Sequence, residues 1–313
     1  MGNQTSQSEL ILLGLSELKD SQILAFLLIL LIYVATLVGN LLIVFLVVSD
    51  FHLHTPMYFS LGNLSVLDIF TSSISTSHLS FDIFTGNRLI SYPTCISQVF
   101  FFTWFGSIEF LILNLMSYDR YVAICHPLCY MTMMSIRSCV QIAFFSWLFR
   151  FVCCFVHTFM TLRLAFPDHT TIIPGLFCEL FQLLRLSCSD TYLNYLLLYV
   201  DTVGVGVTSS FVTFLSYGYI FKTILKIKMK EGRRKAYSTC SSHLMVVFIF
   251  YGTGFFNYFH PKTKDSLAGR LVSLFYTVVT PLLNPIIYSL RNRDLKGALQ
   301  KTLQNCLHAM NYH

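Results

Sequence analysis

From Ile23 to Val48 the chain reads ILAFLLILLIYVATLVGNLLIVFLVV, twenty-six residues without a charge. A helix needs about 20 consecutive apolar residues to cross the hydrocarbon of a bilayer. This run exceeds that length. It is also too long for the apolar part of a secretory signal, and no small-residue cleavage site follows it. The segment predicts a membrane-spanning helix, and the rest of the chain agrees. Of its 313 residues, 55% are hydrophobic and 12% charged, where a soluble domain carries about 25% charged residues. Side chains this apolar need more low-polarity surroundings than one globular core supplies.

Seven apolar stretches, at 23–49, 57–84, 95–126, 139–162, 194–225, 237–260 and 270–290, predict an all-α seven-helix membrane bundle. It forms one domain over residues 1–313. The second stretch, LGNLSVLDIFTSSISTSHLSF, is the most polar, and its Ser, Thr and Asp68 are expected to face the bundle interior. Orientation follows from the basic residues. With residues 1–22 outside, thirteen of the 21 Lys and Arg lie on the cytosolic side, seven lie outside, and Arg150 falls within the fourth span. The N-terminus is therefore expected outside and the C-terminus inside, which opens the sequon at Asn3 to glycosylation. In the cytosolic tail, 291–313, Leu295, Leu299 and Leu303 recur at i, i+4 among charges. They predict a short amphipathic helix on the inner membrane face. The net charge of +6 is spread between apolar runs. It lacks the basic, aromatic-studded stripe of nucleic-acid binders, so membrane lipid is an expected partner and nucleic acid is not. The ten cysteines lack paired CxxC zinc spacing and sit mostly in apolar runs, where Cys behaves as a small hydrophobe.

Ionisable groups inside a span are costly and point to function. Asp68 and Glu109 both lie near mid-span. Two buried carboxylates need a cation, a shared proton or polar neighbours, and Asn40 and Asn284 are candidates for the last. The pair reads either as a sodium or proton site between helices, or as a hydrogen-bonded protonated pair that fixes packing. Asp119 and Arg120 close the third apolar run in MSYDRYVAIC. Alone they would be an interfacial anchor. In the seventh span, however, Pro285 of NPIIY removes a helix hydrogen bond and kinks the helix, with Asn284 placed to satisfy the freed backbone groups. Tyr288 near the inner end of that span, and Tyr217 at similar depth on the fifth, can reach Arg120. One inner Arg, two inner tyrosines and a kinked helix make a two-state latch. Arg150 either faces the bundle near Glu109 or reaches a headgroup through local thinning of the bilayer.

Seven spans, DRY, NPIIY and a Cys at the outer start of the third span resemble a rhodopsin-like G-protein-coupled receptor. Finer motifs resemble its olfactory (odorant) branch: LHTPMYFSLGNLSVLD (53–68), MSYDRYVAICHPL (116–128), SY (216–217), KAYSTCSSHL (235–244) and PLLNPIIYSLRN (281–292). The resemblance runs from about residue 10 to 300. It implies that Asp119 holds Arg120 at rest and releases it on activation, with Tyr121 completing the motif. Tyr217 and Tyr288 then stabilise the open form. Cys240 and His243 belong to the branch motif at the inner end of span six, and Lys235 stands at its G-protein-facing end. Cys95 and Cys178 match the pair that ties the third span to the long second outer loop. The branch's second loop pair would join Cys188 to residue 168. This chain has Asp168 there, which leaves Cys188 unpaired. Span six also lacks the Trp-x-Pro hinge of the wider class. Tyr251 stands at the Trp position, with Gly252 and Gly254 nearby. The resemblance further implies a small volatile ligand and a heterotrimeric G protein with a stimulatory or olfactory α subunit, raising cAMP. It places the chain in the plasma membrane of olfactory cilia, with no catalysis and no cofactor beyond a sodium ion or shared proton at Asp68 and Glu109.

Helix phase, rather than any motif, suggests the ligand cavity. Outward from Glu109 lie Gly106, Thr103 and Phe102, flanked by Ser107. Outward from Tyr251 lie Gly254, Phe255 and Tyr258 on one stripe, and the fifth span adds Asp201 and Val205. Such a lining suits a small, largely apolar molecule oriented by one or two hydrogen bonds. Asp201, two turns in from the outer end of an apolar run, reads as an unpaired carboxylate. As a charge it would select amines; protonated, it would donate to a neutral, oxygen-bearing ligand, and the neutral remainder of the lining favours the second. A transporter is the alternative class, yet the internal repeat many transporters carry is missing. An intramembrane hydrolase would need HExxH or GxSxG, and neither occurs.

Overall fold

In hydrocarbon every backbone N–H and C=O has to find its partner within the chain, which favours helices. The computed structural model describes residues 10–14, 22–167, 171–259, 267–291 and 293–311, and most of that length is helical. The long helices are α1 (Gln22–Ser49), α2 (Pro56–Thr85), α3 (Tyr92–Cys125), α5 (Ile136–Leu162), α8 (Thr208–Lys226) and α9 (Lys230–Phe259). Between them lie α4 (Tyr130–Met133), α6 (Leu180–Leu186) and α7 (Tyr192–Asp201). The chain continues with α10 (Leu267–Leu274), α11 (Thr280–Arg291) and α12 (Arg293–Asn311). A π-helical turn, Thr202–Val207, joins α7 to α8, and a second, Phe275–Val279, joins α10 to α11.

Among the described residues five stretches are long and apolar enough to cross a membrane: Ile23–Ser49, Tyr92–Cys125, Ile136–Leu162, Tyr192–Lys226 and Gly269–Ser289. α9 carries a shorter apolar stretch, Cys240–Phe256. α2 is more polar, and its polarity is turned inward: Ser60, Ser65, Asp68, Thr71, Ser72, Ser75 and Thr76 are all buried. α5 shows the complementary arrangement. Phe144, Phe145, Phe149, Phe155 and Phe159 are exposed, while Cys139, Ala143, Arg150, Cys154, His157 and Thr161 form one buried stripe at steps of three, four and seven.

The main core joins α1, α2, α3, α9 and α11 through Leu46, Leu64, Ile112, Phe250 and Tyr288, and takes in Leu295 and Ala298 of α12. The tail helix therefore docks two residues into the bundle, and Tyr58 Oη fixes its start by donating to Asp294 Oδ2 at 2.9 Å. A second cluster closes the other end. There three short strands, β1 (Leu10–Leu12), β2 (Leu89–Ile90) and β3 (Thr171–Ile173), form a sheet in the order β2–β1–β3. β1 runs antiparallel to β2 and parallel to β3. Leu10 and Leu12 are fully buried against Cys95, Val99, Ile173 and Cys178. This sheet amends the all-α expectation. Strands of two or three residues are too short to show a periodic signal. Asn3 lies outside the described residues.

Candidate functional site

α3 brings Asp119 and Arg120 to its last turns, where both are buried. Arg120 donates to Asp119 Oδ2 at 2.7 Å. The chain then turns through Pro127–Cys129 into α4, and Tyr130 Oη donates to the other oxygen, Asp119 Oδ1, at 2.7 Å. Burial and the adjacent Asp119 carboxylate push the Tyr130 phenol well above its ordinary pKa, so it remains a donor. Tyr217 of α8 is held elsewhere. Its hydroxyl meets His243 Nδ1 of α9 at 2.5 Å, with the two rings stacked. Tyr288 is 1% exposed and its hydroxyl has no hydrogen-bond partner among the described residues. The carboxylate thus has both oxygens occupied, Arg120 is turned toward it, and the two tyrosines are not bonded to Arg120.

Above this layer the kink and the carboxylates share one network. Pro285 cannot donate to the carbonyl one turn back, that of Pro281. Asn40 of α1 supplies the missing donor, with Nδ2 at 3.1 Å from Pro281 O and 3.0 Å from its own helix at Thr36 O. α1 approaches this closely because residue 39 is glycine: a Cβ there would stand 3.1 Å from Pro285 Cγ. Asn284, expected to satisfy the kink, instead donates to Asp68 at 3.0 and 2.9 Å. The Asn284 amide faces Asp68 of α2 while the freed Pro281 carbonyl faces Asn40 of α1. Glu109 accepts from Thr71 Oγ1 at 3.1 Å. The two carboxylates are electrostatic neighbours without a direct bond between them, Asp68 held by the Asn284 amide and Glu109 by the Thr71 hydroxyl.

Toward the sheet, Cys95 and Cys178 are joined in a disulfide across 83 residues, and Cys188 is a free, exposed thiol. Phe102 packs on Phe177 beside this bridge, with ring centres 4.8 Å apart. Deeper in, Tyr251 is buried against Phe110 and Phe250 and lies 3.4 Å from the Thr213 hydroxyl. No atom stands within 4 Å of where a Cβ would sit on Gly106 or Gly254, although Gly254 is buried. Open space therefore faces both glycines, Gly254 buried and Gly106 half-buried. Thr103 and Val205 are half-buried, and Ser107 is buried with its hydroxyl on its own helix at Trp104 O. Phe255 is 41% exposed, so it leaves the inward stripe. The side chains of Tyr258 and Lys235 lie outside the described residues.

Asp201 is not the lone carboxylate the sequence suggests. Arg150 of α5 grips it with both terminal nitrogens, at 2.5 Å to Oδ1 and 2.8 Å to Oδ2. Arg150 is 1% exposed, so it neither pairs with Glu109 nor reaches a headgroup. Cys154 and His157, one and two turns toward the sheet on the same stripe, are the electrostatic neighbours of the pair, and Ser107 lies within reach of Cys154.

The profile of the family described as "Olfactory receptor" matches residues 29–306. Olfactory receptor 7C1 of Homo sapiens is 45% identical over 303 residues, covering 96% of this chain and 94% of that protein. Olfactory receptor 1J2 of Homo sapiens is 47% identical over 302 residues, and olfactory receptor 1M1 of Mus musculus 45% over 303, each covering 96% of both chains. The chain belongs to the olfactory receptor family. It is accordingly a multi-pass membrane receptor of the sensory type, not an enzyme.

In this olfactory receptor the structure gathers Asp119, Arg120, Tyr217, His243 and Tyr288 at one end of the bundle, as the motifs suggest. Tyr121 stands beside them, with its hydroxyl 3.1 Å from His126 Nε2. Other contributors are absent from the sequence analysis or have a different partner there. Tyr130 gives no signal except its hydroxyl, eleven residues from the carboxylate it serves. Gly39 and Asn40 show their use only once α1 is seen against Pro285. Arg150 was visible as a charge, but its partner was not. The π turn before α8 has no sequence signature beyond Gly204 and Gly206.

Proposed function

We propose that this chain is an odorant receptor that binds a small volatile within a seven-helix bundle and activates a stimulatory or olfactory heterotrimeric G protein, raising cAMP. The seven spans are α1, α2, α3, α5, the α7–α8 rod, α9 and the α10–α11 rod, with the N-terminus outside and the tail helix at the cytosolic face. The observation that carries the reading is the state of Asp119. Both its oxygens are taken, by Arg120 and Tyr130, while Tyr217 is occupied by His243 and Tyr288 stands free. A latch so arranged has one closed state and the parts of an open one, in which Arg120 leaves Asp119 for the two tyrosines. A ligand that binds the open state better shifts the population toward it. Leu128, 99% exposed on the turn after α3, and Met131, 82% exposed, give the same end an apolar contact for a protein partner.

The cavity at Gly106 and Gly254, lined by Phe102, Thr103, Tyr251, Val205 and the neutralised Asp201, takes the odorant. Asp68 and Glu109 hold a sodium ion or a shared proton between the cavity and the latch. The working place is the plasma membrane of olfactory cilia. Surface-expressed receptor assayed with a cAMP reporter against a panel of volatiles tests this. A ligand-dependent rise supports it, and solute flux in liposomes without any cAMP response supports a transporter instead.

A further inference from the structure

Arg150 and Asp201 are charges of opposite sign on the inward stripes of two neighbouring helices. Asp201 shares its face of α7 with the buried Asn194 and keeps 20% of its side-chain surface exposed. The π turn that follows it packs against α3, which carries Gly106 and Ser107. A guanidinium has five N–H donors. Two terminal nitrogens serve Asp201, and Nε is buried with no hydrogen-bond partner among the described residues. The pair therefore carries no net charge and keeps spare N–H donors, close to the part of α3 that holds Gly106 and Ser107, since Cys154 adjoins both Arg150 and Ser107.

We propose that the Arg150–Asp201 pair is the polar wall of the ligand cavity and sets the charge class of its ligands: neutral molecules with an acceptor oxygen, such as aldehydes, ketones and esters, are taken, while amines and carboxylic acids are refused. The inference rests on the odorant-receptor reading above and narrows it. An amine reaching Asp201 must displace Arg150, and a carboxylate reaching Arg150 must displace Asp201. Either leaves one buried charge uncompensated, which is the costliest way to disturb such a pair. A carbonyl oxygen needs only a spare N–H and leaves the pair intact. This differs from a lone aspartate, protonated or charged, because the selecting donor belongs to Arg150 and the carboxylate serves to neutralise it.

The test uses full-length receptor in cells with a cAMP reporter and surface labelling. The ligands are volatile aldehydes, ketones and esters, each with the carboxylic acid and primary amine of matching carbon skeleton. Wild type is expected to respond to the neutral members. Asp201→Asn uncovers Arg150 and should move the preference toward the acids by about tenfold or more relative to the aldehyde, in line with one hydrogen bond to a charged group. Arg150→Gln uncovers Asp201 and should move it toward the amines. The double variant Arg150→Met with Asp201→Leu removes both charges. It should reach the surface and keep the neutral preference, with aldehyde potency about tenfold weaker. An unchanged ranking in surface-expressed single variants overturns the proposal. So does a wild type that prefers acids, amines or hydrocarbons. If the single variants fail to reach the surface, the double variant decides: unweakened aldehyde potency makes the pair a packing strut only. A wild type silent to every volatile removes the receptor reading, and this inference with it.

Discussion

The two ends of the bundle are built differently. At the latch end, polar groups close on partners that motif residues supply: Arg120 on the adjacent Asp119, Tyr130 on the same carboxylate, Tyr217 on His243. At the sheet end, the ties join distant parts of the chain. Arg150 meets Asp201 across 51 residues, Cys95 meets Cys178 across 83, and strand β1 reaches both β2 and β3. The latch end is built largely from residues of the DRY, SY and KAYSTCSSHL stretches, which makes it legible in the sequence. Open space faces Gly106 and Gly254, and a pair such as Arg150–Asp201 can be altered without touching the latch residues. In the proposed function signalling and ligand choice are thereby assigned to separate parts of the bundle, with the Asp68–Asn284 and Asn40–Pro281 contacts between them.

The largest way to break this contrast is at the disulfide. Cys95→Ser or Cys178→Ser should remove about 2–5 kcal/mol from the cluster that anchors β1, and surface labelling should fall to background. Surface delivery like that of wild type would show that the sheet end does not depend on the bridge. Asn40→Ala acts between the two ends. It leaves the Pro281 carbonyl buried without a partner, at a cost of about 1–3 kcal/mol. The unfolding temperature of purified receptor should drop by several degrees, and an unchanged value would mean that the kink is satisfied in another way. Tyr130→Phe works on the latch alone. Losing one of the two hydrogen bonds on Asp119, about 1 kcal/mol, should raise basal cAMP about fivefold at equal surface density. A lower or unaltered basal level contradicts the role given to Tyr130. The smallest effect is expected from Cys188→Ser, since that thiol is free and exposed: surface level and ligand potency should match wild type. Mass spectrometry showing Cys188 bridged to another cysteine would reverse this.

How far the fold was legible follows from the same physics. Spans announce themselves through length and apolarity, and α2 through the inward phase of its Ser and Thr. The β sheet did not, because its strands are too short for alternation to register. The Arg150–Asp201 pair was within reach of simple geometry. At about 1.5 Å per residue, Arg150 lies about 18 Å from the Leu162 end of α5 and Asp201 about 14 Å from the Tyr192 end of α7. Glu109 lies about 26 Å from the Tyr92 end of α3, too deep to be the partner. The Asn40–Pro281 bond was not within reach. Nothing in one sequence says which helix packs at the depth of a proline kink, and the adjacent Asn284 was the more obvious donor until Asp68 claimed it.

In the proposed function Arg120 carries the signal from the helix bundle to the G protein. Arg120→Ala, compared with wild type at matched surface density through ligand-evoked cAMP, puts that role to the test. Normal delivery to the surface is expected, with no response to any volatile that activates wild type. A response of undiminished size from the substituted receptor would contradict it.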